Sequence, residues 1–317
     1  MGDGVIALII RRGVELLFLL LGISFLVFSS MYIAPGDPAT MVGGPTATES
    51  ELEAIRDNLG LNDPFLVQYG RYLKNAVQGD FGYSYQSKQP VAEAIAIRFP
   101  NTLKLAVASM VVAIIIGVVA GLISALKQNS WLDVSATTFA LAGISIPNFW
   151  LGALLILVFS VNLQWLPVGG LSEPFYTTEG FKQMILPAIT LGTSAAAMIA
   201  RMTRSSVLEV AKADYVRTAR AKGVKEHKVV WIHTLKNAMI PVVTVIGVNF
   251  GGLLGGTIIT EKVFAINGVG RLMIDAIAQR DFPMVQASVL LVATLFVVVN
   301  LLVDIIYTFI DPRISYD

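Results

Sequence analysis

With 317 residues, 55% of them hydrophobic and only 14% charged, and a mean hydropathy of +0.70, the chain lies outside the range of soluble globular domains and reads as an integral membrane protein. A net charge of +1 excludes a nucleic-acid binder with a broadly basic face. The absence of cysteine excludes disulfides, thiolate metal sites and a cysteine nucleophile.

A bilayer core takes about 20 apolar residues at helical rise, and six runs of that kind occur: 13–34, 102–126, 134–163, 185–200, 240–259 and 285–310. Arg11 and Arg12 precede the first as they would in a secretory leader. That run is longer than an h-region, however, and leads into Ala34-Pro-Gly-Asp-Pro38 rather than a small-residue cleavage site, so it reads as a retained anchor. Glu15, one turn inside, reads as snorkelling.

Residues 35–100 carry an acidic surplus and read as a folded helical insertion, a small lid packed on the membrane domain. Ser50-x-x-Glu53 fits a capping box ahead of Leu52, Ile55 and Leu59. Asn62-Asp63-Pro64 fits a cap and first-turn proline ahead of Phe65, Tyr69, Tyr72 and Leu73 at helical spacing.

In the second span Gly117-x-x-x-Gly121 reads as a packing face. Near the fourth, Gly192-Thr-Ser194-Ala resembles the core of an intramembrane serine protease. Such an enzyme needs a histidine on a neighbouring span, and the two histidines, His227 and His233, both lie in a later basic segment. Six residues apart, they share no helix face as metal ligands would. The fifth span carries Gly247, Gly251, Gly252, Gly255 and Gly256 with Thr244, Asn249, Thr257 and Thr260 between them. Packing explains the glycines. The polar residues Thr244, Asn249 and Thr257 are candidates to line a pathway, since a polar stripe is costly in lipid. In the last span Asp304 reads as a partnered structural carboxylate; ionisable residues for a proton or sodium relay are otherwise missing.

Lys and Arg placement sets the orientation. Arg11 and Arg12 put the N-terminus in the cytoplasm. Between the fourth and fifth spans, Arg201, Arg204, Lys212, Arg217, Arg220, Lys222, Lys225, Lys228 and Lys236 face only Glu209, Asp214 and Glu226, with the loop itself at about 204–239. Four spans separate the two basic regions, so both lie on one side, with residues 311–317, and residues 35–100 lie on the other. This gives an anchor at 1–34, the insertion at 35–100, a core of 101–310 and a cytoplasmic tail. The basic segment is too long for a turn and lacks the clean apolar face of a lipid-surface helix, so it reads as a docking element. With no G-x-x-x-x-G-K-[ST] anywhere, the chain has no P-loop of its own for ATP.

At these residues the chain resembles the ABC importer permeases of the dipeptide/oligopeptide/nickel type. Asp214-Tyr-Val-Arg-Thr-Ala-Arg-Ala-Lys-Gly223 and His233-Thr-Leu-Lys-Asn-Ala-Met-Ile-Pro241 look like their coupling loop. Ala34-Pro-Gly-Asp-Pro38, Leu59-Gly-Leu-Asn-Asp-Pro64, Gly79-Asp-Phe-Gly82, Ser145-Ile-Pro-Asn-Phe-Trp150 and Glu261-Lys-Val-Phe264 extend the likeness over the chain. Arg217 and Thr218 depart from the general EAA-x-x-x-G pattern as the peptide-type branch does, while Ala219 and Gly223 match it. Ile266-Asn-Gly-Val-Gly270 departs from the usual Pro-Gly-x-Gly.

The resemblance implies an all-α, six-span, type I importer-like membrane subunit of a prokaryotic cell membrane, not itself an enzyme. It would pair with a second homologous permease and dock two ATP-binding cassette ATPases, which would hold ATP and magnesium. A separate extracytoplasmic solute-binding protein would deliver peptide; nickel chelate, glutathione or oligosaccharide are alternative cargoes, and a secondary transporter is the reading from another class. The coupling residues would be Asp214, Tyr215, Arg217, Thr218, Ala219, Arg220, Ala221 and Gly223. The glycine is expected to end or bend the lever helix, and bulky residues at Ala219 or Gly223 to uncouple transport from ATP hydrolysis.

Overall fold

The computed structural model describes residues 2–33, 37–44 and 46–310. Residues 34–36 of the first loop motif and the tail 311–317 lie outside the described residues, as does the side chain of Asp304. The chain is helical almost throughout, as expected, with one two-residue antiparallel ladder that the sequence reading did not foresee.

Helix α1 (Gly2–Ile33) holds the first apolar run, with Glu15 paired to Arg11 and Arg12 at its polar end. The insertion follows as α2 (Pro38–Gly43), α3 (Glu49–Leu59), α4 (Phe65–Val77) and the hairpin β1 (Tyr83–Ser84) and β2 (Gln89–Pro90). Its caps differ from expectation by small shifts. The capping box belongs to Thr48 and Glu51, because Thr48 has the extended backbone a cap requires, while Ser50, with the same spacing to Glu53, is already helical. Pro64 sits in the cap position of α4 itself. Asn62 donates to Glu53 and Asp57 instead, and the Gln68 amide turns back to the carbonyls of Leu61 and Asp63.

The bundle is made of α5 (Val91–Leu126), α6 (Trp131–Ser145), α7 (Asn148–Leu155) with a π-helical turn over Ile156–Asn162, α8 (Thr178–Ala211), α11 (Lys236–Val263) and α13 (Phe282–Ile310). Between them lie the short helices α9 (Asp214–Ala221), α10 (Glu226–Lys228) and α12 (Val269–Ala278). Helices α5 and α8 form the central pair. Added Cβ atoms at Gly117 and Gly121 would come within 2.7 Å and 2.5 Å of the carbonyls of Ala196 and Ala200, so this face is a packing face. The main core runs along it through Leu105, Met110, Leu191 and Ile199 to Phe264 and Ile266.

Two expected spans are redrawn. Residues 134–163 are not one straight helix: α6 and α7 meet at a bend of 107°. Pro147 forces Ile146 out of the helical region to φ −85, ψ 122, and its ring leaves no N–H for the ladder. The described residues thus hold five continuous apolar helices plus this broken one, five or six spans by length and composition. The fourth span is longer than 185–200, since α8 continues to Ala211, two turns beyond where the loop was placed. Arg204 therefore belongs to the bundle. Its guanidinium makes two hydrogen bonds, each 3.0 Å, to Asp133 of α6 and one of 2.9 Å to Ser124 of α5.

Candidate coupling site

The segment after α8 folds as a compact hairpin of its own. Val216, Ala219 and Val229 are buried against Val210, Ala213 and Val224, so one side of α9 is the hairpin's core. Arg220 closes it, donating to Glu226 at 2.8 Å and to the Ala211 carbonyl at 3.3 Å. Gly223 lies just beyond the end of α9 at φ +75, a conformation that favours glycine, and lets the chain turn into α10.

The predicted coupling residues divide by this packing. Asp214, Tyr215, Arg217, Thr218, Arg220, Ala221 and Gly223 are exposed, while Ala219 is inside. Ala219 is thus part of the hairpin's own core. A bulky residue there would break the hairpin before it blocked docking. Trp231 and Ile232, 61% and 55% exposed, add apolar area that sequence reasoning did not single out; an indole amid this much charge was the available signal. Six of the cations, Lys212, Arg217, Lys222, Lys225, Lys228 and Lys236, are exposed as well.

A side-chain bond ties this hairpin to α11. The carboxamide of Asn237, in the first turn of α11, donates to the Tyr215 hydroxyl at 3.0 Å and to the His233 carbonyl at 3.1 Å. A π-helical turn over Val229–Leu235 joins α10 to α11 without a break. The hairpin is thereby joined to the start of α11 by backbone and by side chain.

The other end of α11 is held more firmly. Glu261 is fully buried. One carboxyl oxygen accepts from Thr102 Oγ1 of α5 at 2.7 Å and the other from the backbone N–H of Arg271 in α12 at 2.9 Å. Thr102 in turn accepts from the Val269 N–H at 2.9 Å. An added Cβ at Gly268 would lie 2.4 Å from the Glu261 carboxyl, and one at Gly270 would lie 2.5 Å from Ile258 Cα. The two glycines of Ile266-Asn-Gly-Val-Gly270 are thus needed to let α12 close on this carboxylate. Phe264 and Ile266 beside them are fully buried, and the Phe264 carbonyl accepts from Gly170 N–H at 2.8 Å. None of this was legible beforehand, because Thr102 and Glu261 are 159 residues apart.

Between the two ends, α11 shows different faces. Gly247 and Gly251 abut Val303, Asn300 and Phe296 of α13. Gly252 and Gly255 meet nothing within 4 Å and form, with the exposed Val248 and Ile259, an unoccupied stripe at i, i+4, i+7 and i+11. The three candidate pathway residues are not brought together. Half-buried Thr244 flanks the stripe, Asn249 is half-buried and donates to its own Val245 carbonyl at 2.7 Å, and Thr257 is fully buried with its hydroxyl on the Leu254 carbonyl. Ser194, of the protease-like motif, donates at 2.7 Å to the Asn148 carboxamide.

The family model described as "Binding-protein-dependent transport system inner membrane component" matches residues 113–316, and the model of that family's N-terminal region matches residues 5–106. The glutathione transport system permease protein GsiC of Escherichia coli (strain K12) is 48% identical over 308 residues, covering 97% of this chain and 98% of its own length. The GsiC protein of Shigella dysenteriae serotype 1 (strain Sd197) matches to the same extent. Among solved structures, the membrane chain of the MetNI methionine ABC transporter in an inward-facing crystal form superposes with a TM-score of 0.56 at 20% identity, covering 67% of this chain and 93% of that one; this likeness shows the fold. The chain belongs to the binding-protein-dependent transport system inner membrane components: it is a multi-pass inner-membrane permease of an ABC importer.

Proposed function

We propose that this permease is half of the translocation path of an importer for small peptides. The hairpin around 214–223 is the dock for its ATPases, and α11 carries their movement into the membrane. The single observation behind the coupling reading is the geometry of α11, tied to α9 through Tyr215 and Asn237 at one end and to α5 and α12 through Glu261 at the other. The cargo reading rests on the 48% identity to a glutathione permease over nearly the full chain, glutathione being itself a tripeptide. In this reading a second homologous permease covers the open stripe of α11, flanked by Thr244. Two ATPase subunits hold the ATP and magnesium, and a solute-binding protein delivers the peptide outside. The basic segment and both termini lie in the cytoplasm, and residues 35–100 on the opposite face. The surplus of exposed cations on the hairpin favours an acidic groove on the ATPase.

The test is purification of the tagged chain from its host in mild detergent, followed by reconstitution of the complex in proteoliposomes. ATP-dependent uptake of a labelled di- or tripeptide, together with recovery of a second permease and P-loop ATPases, is expected. A chain recovered alone would overturn the docking reading. ATP-driven uptake of nickel chelate or oligosaccharide but not peptide would overturn the cargo reading alone.

A further inference from the structure

Helix α4 has two unlike faces. One carries Phe65, Tyr69 and Tyr72, which pack on Phe25, Phe28 and Tyr32 of α1 with ring centroids between 5.1 and 5.7 Å apart. Gln68, almost fully buried on the same side, accepts from the Tyr32 hydroxyl. The other face is apolar and largely bare: Leu66 is 72% exposed and Val77 89%, with Gly70 and the half-buried Leu73 completing an i, i+4, i+7, i+11 stripe and Val67 beside it.

The depth of this helix is set by Tyr69. Its hydroxyl donates to the carbonyl of Leu21 at 3.1 Å and pairs with Ser24 Oγ at 2.9 Å. The apolar span of α1 runs from Arg11 to Ile33. At about 1.5 Å per residue, Leu21 lies roughly 18 Å below Ile33 and roughly 15 Å from the arginine end. Half of a hydrocarbon core is about 15 Å. The Tyr69 hydroxyl thus reaches the middle of the apolar span, and a tyrosine side chain is much shorter than the distance back to its surface. The body of α4 lies within the apolar thickness, not above it.

We propose that α4 is an interfacial helix whose stripe of Leu66, Leu73 and Val77 is covered by lipid acyl chains of the leaflet on the insertion's side, anchoring the insertion in the membrane. The bare face is continuous in depth with the exposed apolar surface of α1, where Leu26 is 69% and Ile33 83% exposed. Its polar flank carries the exposed cations Arg71, paired with Asp63, and Lys74, suited to phosphate headgroups. The proposal needs only that α1 crosses the bilayer. It is independent of cargo, ATPase docking and sidedness.

Because the chain has no cysteine, an introduced one is the single labelling site on this subunit, and the equally treated wild-type complex supplies the background to subtract. Leu66→Cys and Val77→Cys, both at exposed positions, are labelled with a nitroxide in the intact importer complex in phospholipid vesicles. Leu26→Cys on α1 is the lipid control, and Glu49→Cys at the start of α3 the aqueous one. Collision with molecular oxygen, which concentrates in lipid, is compared with collision with a water-soluble nickel chelate. At 66 and 77 the oxygen-to-chelate ratio should exceed that at 49 several-fold and match that at 26. A ratio like that at 49 would place α4 in water. Shielding from both reagents would show that a second permease covers it. Either result overturns the proposal.

Discussion

The Tyr215 hydroxyl accepts a single neutral hydrogen bond from Asn237, and such a bond is worth about 1 kcal/mol. Removing it should leave the fold in place and weaken only the link between lever and bundle. Tyr215→Phe is expected to co-purify with its ATPases at the wild-type ratio, while ATP-driven uptake falls several-fold relative to ATP hydrolysis; unchanged uptake per ATP would dismiss this link. Glu261 is a different case, since its loss orphans two buried donors, each costing about 1–3 kcal/mol. Glu261→Ala, and Gly268→Ala, which drives a methyl into the carboxylate, should each lower the detergent melting temperature by several degrees. Melting temperatures equal to wild type would show that the contact is not sustained.

At the scale of elements, the coupling hairpin separates residues that sequence treats alike. Ala219 is buried and Trp231 exposed, so Ala219→Arg should unfold the hairpin, seen as new proteolysis between α8 and α11, and Trp231→Glu should leave proteolysis unchanged yet lose the ATPases. Equal proteolysis of the two variants would contradict the packing. Apolar runs, arginine placement and the Gly117-x-x-x-Gly121 spacing made the spans and central packing legible, because lipid imposes one local rule on every residue of a span. The break at Ile146-Pro147 is legible too, since a proline inside an apolar run removes a helical N–H and turns the residue before it extended. The end of α8 was misjudged because Arg204 counts as a loop cation until Asp133, 71 residues earlier, is seen to partner it. The pathway residues fared worst: Thr244, Asn249 and Thr257 share a helix but not a face, and polarity alone does not say which way a side chain turns.

For the whole molecule, the insertion is fastened by charge as well as by aromatic packing. Partial burial pushes the Asp37 carboxyl up, but the hydrogen bonds from Arg56 and the Ala39 N–H outweigh it and hold the group below its ordinary value. A carboxylate with a lowered folded-state pKa stabilises above its unfolded value, near 4, and that contribution is lost as pH falls through the folded one. Protease resistance of residues 37–59 should therefore be flat from pH 8 to about pH 5 and decline only below about pH 4; Asp37→Asn should reduce this acid step without abolishing it, since Glu51 and Glu53 are held low as well. A decline beginning near neutrality would point to other groups.

Helix α11 covers 24 residues between Asn237 and Glu261, about 36 Å of continuous helix. A rod pinned at one end and pushed at the other pivots. With Glu261 as the pin, a shift at Asn237 is roughly halved at Val248 and vanishes at the pin. Paired with a second such rod, the gap between the two opens as a wedge whose apex lies at the carboxylate and whose mouth lies at the hairpin. Opening the opposite mouth then requires the pinned corner of α5, α11 and α12 to swing as one block.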